Sequence, residues 1–233
     1  MKCFWPPSLH SPRQLLASHP GLAAARIQDA QGGSRTPLHV ATDWPGCFPN
    51  GPAVVTVLLA AGADPNAPVE GSRHSETPLH WAASSDDVEV ATALIAGGAD
   101  IEAPGASIAG GTPLDDAAGY GCWQVARLLV ERGARVDKLW HAAALGLTSR
   151  LEEFFAGPAQ PTSHEVNDAF WQACHGGQRR ATEYLLTRGA DLNWIPDYAK
   201  RTPLDIAATP DTGRETLITW LRGKGARSTG DPT

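Results

Sequence analysis

The chain lacks the sequence devices of three large protein classes. No apolar run in its 233 residues approaches the roughly 20 that a membrane-spanning helix needs. Cysteine is sparse: Cys3, Cys47, Cys122 and Cys174 lie far apart, without metal-ligand spacing or the pairing of an oxidised scaffold. They are expected as reduced thiols, some buried as small hydrophobes. Positive charge is short as well, with 19 Lys and Arg against 25 Asp and Glu, a net charge of −6 and a pI near 5.7. Neutralising phosphates requires clustered basic residues, so a general nucleic-acid binder is excluded, and the adjacent Arg179 and Arg180 are too few to form a patch. A phosphate-cradling Gly-rich loop, a Gly-x-Ser-x-Gly elbow and a His-Glu-x-x-His helix are all missing. The eight histidines include no i,i+4 pair, so neither a metal nor a cofactor is expected. Pro6 and Pro7 stand where a signal peptide would need its apolar centre, and a cytoplasmic location is the resulting expectation.

What the chain does contain is 42% hydrophobic and 19% charged residues, enough for one large domain or two small ones. It also contains a repeat. "TPLHVAT" begins at Thr36, "TPLHWAA" at Thr77, "TPLDDAA" at Thr112 and "TPLDIAA" at Thr202. Degenerate copies stand between the last two, "DKLWHAAALG" from Asp137 and "DAFWQACHGG" from Asp168. Second apolar runs follow, such as "VVTVLLAAGAD", "VATALIAGGAD", "VARLLVERGAR" and "ATEYLLTRGAD", each ending in Gly-Ala. Self-similarity at a fixed period signals stacked supersecondary units that bury a face only against their neighbours.

These strings resemble the ankyrin repeat from about Arg35 onward. The resemblance implies an all-α solenoid of about six helix-turn-helix repeats with β-hairpin fingers, preceded by an N-terminal half-repeat cap. On that reading 1–34 is the cap, 35–228 the repeats and 229–233 a disordered tail of a single domain, 1–233. Residue chemistry agrees. Thr can cap a helix whose first residue, Pro, has no amide to lose. Leu79, Ala82 and Ala83 share one helical face, and small alanines permit close packing. Gly62, Gly98, Gly133 and Gly189 fit helix C-termini that need a left-handed residue. Ser11 and Pro12 read as the start of the cap. The period is broken by an insertion, "DWPGCFPNGP", from Asp43 to Pro52, by a long finger before Thr77, and by a finger that almost vanishes between Gly133 and Asp137.

Steps of 100° from the inward face place Trp81, Ser84 and Ser85 on the other side of their helix. The resemblance implies that such first-helix positions line a concave groove. Equivalent positions make a row of Val40, Trp81, Asp116, His141, Gln172 and Ile206, flanked by Asp43, Trp44, Tyr120, Leu145 and His175. Binding residues are therefore expected at Asp43, Trp44, Trp81, Tyr120, Leu145, Gln172 and His175. His39 and His80 are expected in structural hydrogen bonds between repeats. Trp140 and Trp171 occupy the same position and put those bonds in doubt locally.

Two functions fit. The resemblance implies a protein-interaction scaffold that holds an unidentified protein partner in its groove. The alternative is an enzyme or a binder of a small apolar or aromatic molecule, with Asp116 and His141 as an acid/base pair beneath aromatic walls. An enzyme calls for an enclosed cavity that excludes water, whereas a scaffold calls for an open aromatic stripe.

Overall fold

The computed structural model describes residues 11–30, 32–210 and 212–231. Cys3 and the paired prolines fall outside them. The chain divides into two compact units, Met1–Ala134 and Arg135–Thr233, with the boundary at the shortened finger.

In the first unit α1 (Pro12–Ser18) starts at the expected Ser11 and Pro12 and is closed by a capping box between Ser11 and Gln14. A hairpin follows, β1 (Ile27–Gln28) and β2 (Ser34–Arg35), in antiparallel register with Ile27 opposite Arg35. Three helix pairs complete the unit: α2 (Pro37–Ala41) with α3 (Gly51–Ala60), α4 (Pro78–Ser84) with α5 (Val88–Ala96), and α6 (Pro113–Tyr120) with α7 (Trp123–Glu131). The second unit repeats the pattern in α8 (Leu139–Leu145) with α9 (Thr148–Ala156), α10 (Ser163–His175) with α11 (Arg179–Thr187), and α12 (Pro203–Ala207) with α13 (Glu215–Gly223). Within each unit, first helices pack on first helices, α4 between α2 and α6, and α10 between α8 and α12. Leu79, Ala82 and Ala83 are fully buried, as are Leu114, Ala117 and Ala118 one repeat later. Phe170 is the largest fully buried side chain of the second unit.

The helix starts obey one rule. Thr36, Thr77, Thr112 and Thr202 each cap a helix with Pro in its first turn, and the residue three further on closes a capping box. His39 Nδ1 accepts the Thr36 N–H at 3.2 Å and His80 Nδ1 the Thr77 N–H at 3.0 Å. Asp115 Oδ2 does the same for Thr112 at 2.7 Å. Because Nδ1 accepts, the ring proton sits on Nε2, and His39 donates it to the carbonyl of Glu76 at 3.0 Å. Trp171 preserves this link by other means: its indole Nε1 donates to the Arg201 carbonyl at 2.9 Å. Glu76 and Arg201 are both the residue just before a capping Thr, so the doubt raised by Trp171 resolves into a change of donor. Gly62, Gly98, Gly133 and Gly189 all have φ near +90°, the left-handed geometry expected after the second helices.

The fingers differ from expectation. Among the described residues the only ladder is β1–β2, extended by a bridge between Ser34 and Glu70. Side-chain amides make the other ties. Asn66 Oδ1 accepts the Asp100 N–H at 2.7 Å, and Asn193 Oδ1 accepts the Arg227 N–H at 2.8 Å, both across 34 residues. A short amide side chain can satisfy the next repeat's backbone locally, so no strand pairing is needed there. The terminal segment differs too. Thr229 N–H donates to Asp205 at 3.1 Å and Ser228 donates its hydroxyl proton to the same carboxylate, so Ser228 and Thr229 are anchored to the last helix pair.

Candidate functional site

In the first unit the expected binding positions lie on or just after α2, α4 and α6, and they divide by exposure. Trp44 is 79% exposed, Tyr120 54% and Val40 45%, while Asp43 and Trp81 are half-buried. The Trp44 loop is firmly held although it is an insertion. Asp43 accepts the Trp44 N–H at 2.9 Å and pairs with Arg35 at 3.4 Å. Asp87, which caps α5 through the Val90 N–H, also accepts the Cys47 N–H at 2.6 Å. Gly46, at φ +72°, lies so close to Ser85 that an added Cβ would sit 2.8 Å from it. Trp81 is clasped between neighbours, with the His39 ring edge-on at 5.1 Å and the Arg35 guanidinium 5.9 Å above its ring.

Asp116 departs most from the sequence reading. It is 0% exposed, not open to a groove. The cause is the finger before α6, Ala103 to Gly111, which folds back over the helix. Asp116 Oδ1 accepts the Ser107 hydroxyl at 2.8 Å and the Ile108 N–H at 3.0 Å. Ser107, having spent its proton on Asp116, accepts the Tyr120 hydroxyl at 2.9 Å. Ile108 lies on Gly119, where an added Cβ would meet its Cγ1 at 2.9 Å. The other carboxylate oxygen, Oδ2, is buried and meets no N–H or O–H among the described residues. Glu76, half-buried in the finger before α4, lies near enough to feel the charge of Asp116. Burial, and then the charge of Asp116, raise Glu76 to about 7. Burial likewise lifts Asp116 above its ordinary range, against the Ile108 and Ser107 donors.

Glu76 and Ser107 were missed in sequence, because both sit in fingers outside the helical register. The signal available was the small-residue run "APGASIAGG" before Thr112, which lets a finger lie flat on its own helix.

The second unit shows the same covering of the row. Gln172, expected to be exposed, is buried beneath Tyr198 and donates to its hydroxyl oxygen at 3.3 Å. Tyr198 in turn donates to Asp168 at 2.5 Å and stands edge-on to Trp171 at 5.7 Å. His175 and Leu145 are half-buried. Burial, then Arg214 and Arg201, depress His175 to about 4 and keep it neutral. His141 is 1% exposed and lies edge-on to Trp140, with ring centroids 4.1 Å apart. Asp116 and His141 belong to different units and are each enclosed by their own neighbours. A general acid or base must reach the substrate's proton, and neither side chain has an exposed face from which to do so.

Two cavities lie away from the aromatic row. One is bordered by Val136, Gly146, Arg150 and Glu153, the other by Asn66, Ser75, Asp100 and Pro104. Trp44, Trp81, Asp116 and Tyr120 line neither. Among the described residues no cluster of three or more His, Cys, Asp or Glu could hold a metal ion, and no helix is long and apolar enough to cross a membrane.

Stacked helix pairs with Thr-Pro caps, joined by Asn and His links from one pair to the next, define a helical repeat protein. Residues 47–138 match the family model for ankyrin repeats, in three copies, and that segment is built of ankyrin repeats. Ankyrin repeats are generally protein–protein interaction modules.

Proposed function

We propose that the chain is an interaction scaffold of about six repeats that docks a protein partner on the first-helix face of its first unit. The single observation that carries this reading is the exposure of Trp44 at 79% and Tyr120 at 54%, the Trp44 loop tied by the Cys47 N–H to Asp87 and the Tyr120 ring by its hydroxyl to Ser107. Exposed aromatics on a rigid frame are the side chains that dominate interface energies, and they lose little conformational entropy on binding. Val40, Asp43 and the half-buried Trp81 complete the surface. On the second unit's own first-helix face, Leu145 and His175 are the corresponding contacts, and Gln172 supports Tyr198 from below. The burial of Asp116 and His141 favours docking over acid/base chemistry.

The experiment places a photo-crosslinking amino acid at position 44, at position 120 and, as a control, at the exposed Glu131 of α7. A defined partner should be captured from positions 44 and 120 and not from 131. Binding of that partner should weaken by roughly 2 kcal/mol or more in Trp44→Ala, as for an interface anchor. Capture from position 131 alone, or an unchanged affinity of Trp44→Ala, would overturn the reading.

A further inference from the structure

The second helices of the two units are built differently. In the first unit α3, α5 and α7 present mainly aliphatic side chains, and Trp123 is their only aromatic residue. In the second unit α9, α11 and α13 carry Phe154, Phe155, Tyr184 and Trp220, all half-buried against that unit's core. A cation lies over each of these rings. Arg150 stands 4.6 Å from the centre of Phe154, and Arg188 is shared by Phe155 at 5.0 Å and Tyr184 at 4.8 Å. Trp220 takes Arg179 at 4.5 Å and Lys224 at 5.8 Å. The contacts join the three helices into one face. Phe155 of α9 is edge-on to Tyr184 of α11 at 5.6 Å, and Arg179 of α11 reaches Trp220 of α13. Arg180, Tyr184 and Arg188 recur at four-residue spacing, so a single stripe runs along α11.

This face has more donors than acceptors. With the residue that follows each helix, α9, α11 and α13 hold six Arg and Lys against four Glu. Glu153 and Glu183 are taken by Arg150 and Arg179, each at 2.6 Å. Arg180, Arg188, Arg222 and Lys224 are exposed, and among the described residues none of them has a carboxylate at ion-pair distance. The buried Nε of Arg179 and hydroxyl of Tyr184 also meet no acceptor among the described residues. Arg188 is the best prepared of the cations, because two rings support its planar guanidinium, and a supported fork of N–H groups matches the two oxygens of a carboxylate. Glu152, Glu153, Glu183 and Glu215 are interleaved with the cations. They would repel the close-set charges of a phosphate chain, whereas the spaced carboxylates of a peptide can pass between them.

We infer that the second-helix face of the second unit docks an acidic segment of a protein, one of whose carboxylates pairs with Arg188. The surface belongs to that unit alone and does not depend on the docking reading for the first.

Decaglutamate serves as the probe, titrated at low salt into the full chain labelled with nitrogen-15, with backbone amides and arginine Nε–H signals followed by NMR. Saturable shifts should appear in α9, α11 and α13 and at the Arg188 Nε–H, and binding should weaken steeply from about 50 to about 200 mM salt. Arg188→Gln should bind about tenfold more weakly, the loss of one charge-assisted contact, and Arg188→Lys should recover part of that loss. Arg13→Gln in α1 removes the same formal charge from an exposed position of the first unit and should leave the affinity unchanged. The amide spectra of the free variants check that each retains the fold. Shifts scattered over both units, or an Arg13→Gln effect equal to that of Arg188→Gln, overturn the proposal. Tighter binding of a linear inorganic polyphosphate at the same stripe overturns the carboxylate partner. Self-association of the chain without peptide, abolished by Arg188→Gln, overturns it as well by making a second copy the occupant.

Discussion

The repeat-to-repeat histidine predicts a change of stability with pH that can be isolated in one variant. His39 is 0% exposed and its pKa is lowered from 6.5 to about 4, chiefly by burial. The unfolded chain therefore takes a proton at this ring as pH falls below 6.5, and the folded chain does so only below about 4. Between those limits the unfolded state binds more protons, so stability falls as pH falls. At 1.36 kcal/mol per pH unit the ring costs the fold about 3 kcal/mol across the window. His39→Gln keeps a side chain that can accept the Thr36 N–H but loses the bond to the Glu76 carbonyl, a deficit of about 1–2 kcal/mol at neutral pH. Urea unfolding of both proteins from about pH 4 to pH 8 should show the wild type more stable at neutrality and the variant more stable at the acid end. Glu76 acts in the opposite sense: its raised pKa makes the folded carboxyl costlier as pH rises from 4.5 to about 7. That contribution is common to both proteins and cancels in their difference. A stability gap that stays constant across the range would refute the buried, neutral, repeat-linking role of His39.

Three further outcomes follow from the geometry. Gly119→Ala puts a Cβ 2.9 Å from Ile108 and should lift the Ser107 finger, lowering stability by about 1–3 kcal/mol in thermal unfolding and exposing Asp116. Trp171→Phe leaves the Arg201 carbonyl without its indole donor and should cost about 1–3 kcal/mol beyond the packing lost, with Trp171→His recovering part of it in denaturant titrations. Cys47 is exposed whereas Cys122 and Cys174 are buried, with burial pushing Cys174 to about 12; thiol labelling of the native chain should therefore modify Cys47 and spare the other two until the protein unfolds.

The helical frame was legible because its signals are local. A Thr-Pro pair, a residue able to accept the Thr amide three positions on, and a Gly after the second helix each act within one turn, and each reads the same way in every copy. His39, His80, Asp115 and Asp205 look like loose variation at one position, yet all four close the same capping box. The fingers were not legible in this way. Whether Asn66 ties its repeat to the next by a side-chain bond or by a strand ladder depends on where Asp100 lies, 34 residues further on.

The site shows the same limit more sharply. Helical spacing correctly puts Trp81 and Asp116 at equivalent positions, but exposure is decided by what lies above a position as well as by its angle on the helix. Over α4 the His39 ring and the Arg35 guanidinium cover Trp81 only in part, and it stays half-buried. Over α6 the finger carries Ser107 and Ile108, whose two donors reach Asp116 and close the space above it. Gly119 permits that approach, since any larger residue there would hold Ile108 away. The covering also changes the chemistry. A carboxylate at the Asp116 position with water above it would be an ordinary anion of the groove. Sealed beneath the finger, it adds its charge to the burial that raises Glu76 to about 7.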